Sequence, residues 1–387
     1  MCIRWCRRSR HALAGALCGL LTLVAHAEPI VPSGDSQVVE VLPTPSSGKG
    51  EERELRRRLA ADPTDTQAAL VLARRYIARA RVAGDPRLAG RALAVLVHWP
   101  DARTAPIDIV LTQANIQQYL HDFDASRRSL QRLLERVPRH AQAWLTLATI
   151  ERVQGRLVPS DAACRQVGNA GALLYAEACL AENAGLRGQF DSARVAFQRL
   201  LAASLRDPSV RSWLQTSVAE LEARAARPAQ AEAAYRRAIE AQPDEYTRLS
   251  FADFLLQQRR DTDALAVLQN EPRTDSILLR RAMIGARTRL PALAGDIAEM
   301  RERMAQAALR PGSTHAREQS MFALWVDGDP TRALALAKEN VHNQRESIDV
   351  LQLAQAARAV GTEEALQFAR QVRSEMGLRD ERVDALL

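Results

Sequence analysis

Aromatic residues and glycine are scarce in this chain of 387 residues: Phe, Trp and Tyr together make up 4% of it, and 18 residues are Gly. β-Sandwiches and β-barrels are rich in aromatic and β-branched residues, and nucleotide-binding folds need glycine-rich loops, so the composition argues against these classes. Alanine and leucine dominate the 47% of the chain that is hydrophobic, which is typical of a helical protein.

Lysine is almost absent, since only Lys49 and Lys338 occur, and nearly all of the positive charge is arginine. The first 27 residues carry four arginines and no acidic residue, so without them the formal net charge falls from +7 to +3. Nucleic-acid binding requires a basic stripe interleaved with stacking aromatic residues. Here arginine and glutamate are interspersed, as on solvated helix faces, and we expect no nucleic-acid partner.

Long hydrophobic runs are absent beyond the N-terminus, where residues 1–27 have the pattern of a secretory signal peptide. A basic start is followed by the apolar stretch Ala12–Ala25 and by a small-x-small sequence that ends at Ala27. The apolar stretch is short for a membrane span, although an uncleaved N-terminal anchor is the alternative. We expect Sec-dependent export, cleavage near Ala27, and a periplasmic or secreted protein.

Cysteine is scarce as well. Three of the five cysteines lie within residues 1–27, which leaves Cys164 and Cys179. An even pair in an exported protein predicts a disulfide, and the glycine-containing segment 167–171 between the two is typical of a turn that joins helices. The alternative is that both are small buried residues in a helix interface.

From Glu51 onward apolar residues recur at helical spacing, and the pattern repeats about every 34 residues. One column of small residues has intervals of 34, 33, 38 and 33 and consists of Ala114, Ala148, Ala181, Ala219 and Ala252. A second column, in the following helix, has a large side chain four residues later: Ser126/Leu130, Ala193/Phe197, Ala231/Tyr235 and Ala264/Leu268. Gly155 and Gly188 fall at equivalent turns. Such a period indicates stacked helical hairpins, because small residues let paired helices approach closely.

Three units carry a resemblance to the tetratricopeptide repeat (TPR) family: Trp144–Ala148, Phe190–Phe197 and Ala231–Pro243. The resemblance implies an all-α fold, an α-solenoid of about seven to nine TPR-like helical hairpins. An irregular α-solenoid without repeats is the alternative. The pattern departs from the family in having alanine where glycine is usual beside the first-helix small residue. The interval of 38 implies a longer helix or loop near Ala202–Pro208.

The chain is therefore expected to divide into four parts. They are a signal peptide at 1–27, a flexible linker rich in Pro and Ser at 28–50, the TPR-like solenoid at 51–312, and C-terminal helical repeats or a cap at 313–387. The last part is similar to the C-terminal part of exported proteobacterial TPR proteins without an assigned activity. Such proteins are often encoded beside permeases of the hydrogenase/urease-accessory class, so the resemblance implies an envelope membrane protein as partner and a link to metal transport.

Residue patterns for catalysis or metal binding are missing. No two histidines beyond residue 27 are three or four positions apart, and the chain has neither a G-x-S-x-G elbow nor a phosphate-binding loop. The segment Asp327–Pro330 is interpreted as the start of a helix, with Asp329 as its cap and Pro330 at its first position, instead of a calcium loop. We predict no catalytic residue, no metal and no cofactor.

In TPR-like units, first-helix side chains that face away from the partner helix line a concave groove, and helical phase assigns twelve residues to it. They are Asn115, Gln118, Gln142, Thr149, Arg152, Tyr175, Glu182, Trp213, Thr216, Glu220, Tyr246 and Asp253. Amides can bond a peptide backbone and aromatic rings can anchor it. The favoured function is a non-enzymatic periplasmic scaffold or adaptor that binds a protein or peptide in this groove. The alternatives are an accessory subunit of an envelope transporter or export system, and an envelope hydrolase or metal-binding protein.

Overall fold

A computed structural model describes residues 47–83, 85–204, 206–308 and 316–387, which form helices and no strand. The α-helices are α1 Ser47–Ala61, α2 Thr66–Ala83, α3 Pro86–Val95, α4 Ile107–Tyr119, α5 Phe123–Arg136, α6 Ala141–Val153, α7 Leu157–Asn169, α8 Leu173–Leu186, α9 Phe190–Ala203, α10 Pro208–Arg224, α11 Pro228–Ala241, α12 Glu245–Gln257, α13 Asp261–Val267, α14 Asp275–Thr288, α15 Ala294–Ala308, α16 Ala316–Phe322, α17 Pro330–Asn343, α18 Ser347–Val360, α19 Glu363–Met376 and α20 Glu381–Asp384. A 3₁₀ helix, Pro291–Leu293, precedes α15, and a π-helical turn, Ala323–Asp327, extends α16.

Some sequence predictions concern residues outside this described part. These are the signal peptide, most of the linker, and the boundary between residues 312 and 313. The last four residues of the predicted linker, 47–50, begin α1. At Asp329 the prediction is confirmed, because its carboxylate accepts a hydrogen bond from the Arg332 backbone N–H at 2.9 Å and Pro330 is the first residue of α17.

Consecutive helices from α2 to α19 pack in pairs, so the described part of the chain contains nine helical hairpins. The first helices of successive hairpins, from α4 to α14, also contact one another and form the inner layer of the solenoid. The fold is an all-α, TPR-like solenoid, as the repeat pattern predicts, with a hairpin number at the upper end of the expected range. Among the described helices, none is both long and apolar enough to cross a membrane.

Both columns of small residues lie in the helix interfaces that their spacing predicts. The alanines of the first column are at most 4% exposed, and the large side chains that follow the second column are at most 2% exposed. The Ser126 hydroxyl donates to the carbonyl of Ala114 at 2.8 Å, and Ser160 donates to Ala148 at 2.9 Å in the same way. Ser160 thus belongs to the second column, although Cys164 stands where the other units have a large residue. The interval of 38 arises at α10, which has 17 residues and is about one turn longer than α8.

The two remaining cysteines form the predicted pair. Cys164 on α7 and Cys179 on α8 are joined in a disulfide, with their Cα atoms 5.8 Å apart. The disulfide occupies the space that a large side chain fills in the neighbouring units. Beside it, the Asn183 amide donates to the hydroxyl of Ser160 at 2.9 Å and to the carboxylate of Asp161 at 2.8 Å. Two helices of different hairpins are therefore linked by both covalent and hydrogen bonds.

Five successive hairpin turns, from α4/α5 to α12/α13, have the same three-residue form. Their middle residues are His121, Gly155, Gly188, Ala226 and Arg259, all in the left-handed conformation with φ between 53° and 82°. This conformation costs about 1–2 kcal/mol when the residue carries a Cβ atom. The repeat therefore keeps one turn geometry even where glycine is missing.

The C-terminal helices, α16–α20, pack back against the hairpins of α6–α9. The backbone N–H of Arg345 donates to the carbonyl of Val153 at 2.7 Å, and that of Arg379 donates to the carbonyl of Leu186 at 2.8 Å. Val153 and Leu186 are the last residues of α6 and α8, whose carbonyls have no partner within their own helices. The connections that follow α17 and α19 therefore satisfy the ends of two successive inner helices.

Gly155 and Gly188 lie directly beneath these contacts. A Cβ atom at residue 155 would lie 2.9 Å from the Cγ of Met376, and one at residue 188 would lie 2.8 Å from the Cβ of Arg379. Leu186 is part of the same hydrophobic cluster as the buried residues of α17–α20. The two glycines are thus required by close packing as well as by the turn conformation.

Candidate functional site

The N-terminal halves of three inner helices carry a row of aromatic side chains. Tyr175, Trp213 and Tyr246 occupy one repeat position, with intervals of 38 and 33 residues, and Gln142 precedes them at the same position. Tyr175 is 41% exposed and stacks on Trp213, with ring centroids 5.7 Å apart, while Tyr246 is 64% exposed. We call Tyr175, Trp213 and Tyr246 the aromatic row. The row carries large rings on three successive helices, of which the two tyrosines are exposed and Trp213 is half-buried.

The other predicted groove residues of α4 and α6 surround this row only in part. Asn115 and Gln142 are exposed, and Gln118 and Thr149 are half-buried. The Thr149 hydroxyl donates to the carbonyl of Leu145 at 3.0 Å, within its own helix. These amides and this hydroxyl therefore lie on accessible or partly accessible parts of the inner layer.

Thr216 does not lie on that surface. It is 3% exposed, and its hydroxyl bonds to the carbonyl of Ser212 and to the hydroxyl of Thr247, each at 2.9 Å. The residue therefore joins α10 to α12 and offers no atom to a ligand. The physical reason is that Thr216 points toward the next inner helix, a direction that helical phase within one helix does not distinguish from the open groove.

Side chains of the inner helices line one wall of a cavity of about 410 Å³, and the C-terminal helices supply the opposite wall. Five of the predicted groove residues meet in its wall: Arg152, Glu182, Glu220, Tyr246 and Asp253. Further arginines complete the wall, with Arg224 and Arg280 from the inner helices and Arg317, Arg345 and Arg382 from the C-terminal helices. We call this space the arginine cavity. It combines residues that are more than 200 positions apart in sequence.

Most charges of the inner helices in this wall are paired. Arg152 and Glu182 form an ion pair at 2.5 Å, and Glu182 also accepts from the hydroxyl of Ser217 at 2.9 Å. Arg280 holds Asp253 with two hydrogen bonds, of 2.9 and 2.7 Å. Such two-point pairing fixes both side chains, so these groups form a rigid wall.

The arginines of the C-terminal helices are paired with carboxylates of the same helices or their connections. Arg317 donates to Asp349 at 3.2 Å, and Arg382 donates to Asp380 at 2.6 Å. Arg345 pairs with the carboxylate of Glu375 at 2.9 Å. Burial raises the pKa of Asp349 to about 6, although Arg317 opposes the shift.

Glu220 lies where the aromatic row meets the arginine cavity. Its carboxylate accepts hydrogen bonds from the hydroxyl of Tyr246 at 2.7 Å and from that of Ser250 at 3.1 Å. Burial raises the pKa of Glu220 above its ordinary value, while Arg224 one turn later lowers it. These two hydroxyls are the hydrogen-bond partners of the Glu220 carboxylate. Among the described residues, no arginine forms an ion pair with it within 4 Å.

A second, more apolar cavity of about 530 Å³ adjoins the first. Leu256, Met283, Trp325 and Leu351 contribute to its wall. The hydrogen bond from Arg382 to the side-chain oxygen of Gln257, at 3.2 Å, lies at the border because both residues line both spaces. Within the described residues, no group of three or more His, Cys, Asp or Glu side chains has an arrangement that could hold a metal ion.

No family model and no curated protein matches this chain. Among solved structures, a tetratricopeptide repeat protein from Parabacteroides merdae is 17% identical, with a TM-score of 0.47 over 57% of this chain and 86% of its own. The Cut9–Hcn1 hetero-tetramer of the APC/C is 12% identical, with a TM-score of 0.45 over 84% of this chain and 59% of the other. The TPR domain of P58(IPK) is 13% identical, with a TM-score of 0.26 over 84% of this chain and 96% of that domain.

The chain has a TPR-like fold. At such identities the likeness concerns the fold alone. In this TPR-like chain, helical phase identifies the residues of α6, α8, α10 and α12 that meet in the arginine cavity, but misses Arg224 and Arg280. Arg224 is four residues beyond Glu220 and thus on the same helix face, so continuing the count by one turn finds it. Nothing in the sequence signals that Arg317, Arg345 and Arg382 join them, because only the return of the C-terminal helices brings them there.

Proposed function

We propose that this TPR-like protein is exported and acts as a non-catalytic scaffold, which binds an extended segment of an envelope protein along the aromatic row. The observation that carries the proposal is the row itself, with two exposed tyrosines and the half-buried Trp213 at one repeat position of three successive helices. Large aromatic side chains account for much of the binding energy at protein interfaces, and a monomeric protein gains nothing from leaving a stacked pair in water.

The spacing of the row suits an extended chain. Packed helices are about 8–10 Å apart, and an extended peptide rises about 3.3 Å per residue. Side chains three residues apart in the partner would therefore contact Tyr175 and Trp213, or Trp213 and Tyr246. The exposed amides of Gln142 and Asn115 can bond the peptide backbone at the end of the row.

Export is the part of the proposal that rests on residues 1–27. Their basic start, apolar stretch and cleavage sequence support secretion across the inner membrane. Protein isolated from the periplasmic fraction is expected to begin at Glu28. Protein that keeps residues 1–27 and sediments with membranes would favour the uncleaved anchor instead.

The decisive experiment compares two double variants of residues 28–387 in affinity capture from a detergent-solubilised envelope. Tyr175→Ala/Trp213→Ala removes the stacked pair, and Val158→Ala/Val195→Ala removes two exposed apolar side chains from the second helices α7 and α9. Each partner is identified, purified and titrated against the three proteins. We expect more than 10-fold weaker binding for the aromatic variant, because hot-spot side chains contribute about 2 kcal/mol or more each.

Circular dichroism melts of each variant establish that the solenoid is intact. A partner that is an integral membrane protein would assign the scaffold to an envelope transporter or export system. Equal affinity of the two double variants would refute the aromatic row as the binding surface.

A further inference from the structure

Arg224 differs from every other arginine in the wall of the arginine cavity. It is 7% exposed, and its Nε has no hydrogen-bond partner among the described residues. The guanidinium of each of the other five has a carboxylate oxygen within 3.2 Å. For Arg224 the described part of the chain supplies no ion pair within 4 Å.

Neither acid of the last turns of α10 pairs with Arg224, and Glu222 pairs instead with Arg194 at 2.6 Å. The carboxylate of Glu220, one turn earlier on α10, instead accepts from Tyr246 and Ser250. Because burial raises the pKa of Glu220, its negative charge is disfavoured and compensates Arg224 less. The carboxylates of Glu318 and Glu346, which also line the wall, pair with Arg317 and not with Arg224. A buried arginine without a hydrogen-bonded partner is costly, and an anion in the cavity would satisfy Arg224.

The position of Arg224 is built into the packing of α8 and α10. Gly185 on α8 faces α10, and a Cβ atom there would lie 2.6 Å from Leu221 and 3.7 Å from the Nη2 of Arg224. The absence of a side chain at residue 185 therefore lets this arginine lie against α8.

The cavity and its charge define the ligand class. A volume of about 410 Å³ is within the range of sites for small molecules. One unpaired guanidinium suits one monoanion, because a planar carboxylate accepts two parallel hydrogen bonds from a guanidinium. Leu249, Phe254 and Ile348 add apolar surface to the wall. We propose that the arginine cavity binds a small monocarboxylate with an apolar body, and that Arg224 holds its carboxylate.

The two proposed sites share Tyr246, but Arg224 is not part of the aromatic row, and the stacked pair of Tyr175 and Trp213 does not line the cavity. Because the C-terminal helices supply half of the arginines, a bound carboxylate would also stabilise their packing against α6–α9. Loss of partner binding and loss of carboxylate binding are therefore distinguishable outcomes.

The test uses residues 28–387 and benzoate as the probe, with neutral benzamide as its uncharged analogue. Isothermal titration calorimetry is expected to detect benzoate and to give at least 10-fold weaker binding for benzamide and for Arg224→Gln, because a charge-assisted hydrogen bond is lost. The matched control Arg211→Gln removes an exposed arginine of the same helix and is expected to bind benzoate as the parent does.

A second signature separates a binding arginine from a structural one. Without probe, Arg224→Gln is expected to raise Tm, because it removes an unpaired buried charge, whereas benzoate is expected to raise Tm only in the parent and in Arg211→Gln. If Arg224→Gln does not fold, the ¹⁵N–¹H resonance of Arg224 Nε in the parent protein decides, since benzoate must shift it. The proposal is refuted if benzoate leaves that resonance and Tm unchanged, or if Arg211→Gln weakens binding as much as Arg224→Gln.

Discussion

The two ends of the inner helices differ, although they belong to the same repeats. In the N-terminal halves of α8, α10 and α12, the two tyrosines of the aromatic row are exposed and Trp213 is half-buried. At the last turns of α6 and α8, Arg152 and Glu182 are paired, and the C-terminal helices cover them. Repeat position therefore does not decide whether a residue of the inner layer meets a partner. Contact with a distant part of the chain decides it.

The hairpin turns at the ends of the inner helices also differ in whether the C-terminal helices cover them. Gly155 and Gly188 are beneath the C-terminal helices, whereas Ala226 and Arg259 have the same turn geometry and are exposed. Since the left-handed conformation is kept without glycine at two of these turns, conformation alone does not account for the glycines. The close approach of Met376 to Gly155 and of Arg379 to Gly188 explains why these two positions lack a side chain.

The largest expected effect comes from substitutions that detach the C-terminal helices from the turns at Gly155 and Gly188. Gly155→Val/Gly188→Val places a β-branched side chain in the left-handed conformation at both turns and against Met376 and Arg379. We expect the free energy of unfolding to fall by about 4 kcal/mol or more, because backbone strain and overpacking add at two sites. Urea unfolding measures the loss, and hydrogen exchange at the amides of Arg345 and Arg379 reports the detachment.

Ala226→Val is the matched control, since it changes an exposed turn of the same geometry. We expect a loss of about 1 kcal/mol there, because only the strain of a β-branched side chain is added. If the double valine variant loses no more stability than this control, or if both amides stay protected, the C-terminal helices are not held at these turns.

An intermediate effect is expected from the disulfide, which joins the middle of α8 to α7. Cys164→Ala/Cys179→Ala opens a loop with a sequence separation of 15, for which the chain-entropy model gives about 3 kcal/mol. Reductant should lower the Tm of the parent and leave that of the double variant unchanged. If reductant lowers both equally, its effect does not arise from this pair.

The smallest effect is expected from Glu220, which lies between the aromatic row and the arginine cavity and makes the stability depend on pH. Because burial raises the pKa of Glu220, the folded protein keeps this proton to higher pH than the unfolded chain does. The contribution of Glu220 to stability is therefore full below its unfolded pKa and is lost as the pH rises through the raised value. Glu220→Gln should be increasingly stabilised relative to the parent as the pH rises from 4 to about 8.

Glu177→Gln, on the exposed face of α8, is the control for this measurement. Its unfolding free energy should follow that of the parent across the same pH range. Parallel profiles for the parent and Glu220→Gln would contradict the pKa shift and would mean that the cavity at Glu220 is well hydrated.

Several particulars of the fold follow from local chemistry in the sequence. The small columns place Ala114 and Ser126 in one interface, and the capping residue Asp329 marks the start of α17. The cysteine pair follows from composition and spacing. Helical phase also identifies Arg152, Glu182 and Asp253, because the inner face of a repeat is a property of one helix and its partner.

The helical hairpins, their period and most of the residues that face the inner layer follow from residue spacing, because they depend on a single helix and on the next helix in the chain. Only the tertiary structure decided which part of that layer stays open. The return of α16–α20 depends on packing between residues such as Arg345 and Val153, which are separated by almost 200 positions. The same packing surrounds Arg224 with walls from both parts of the solenoid and makes its lack of a partner visible.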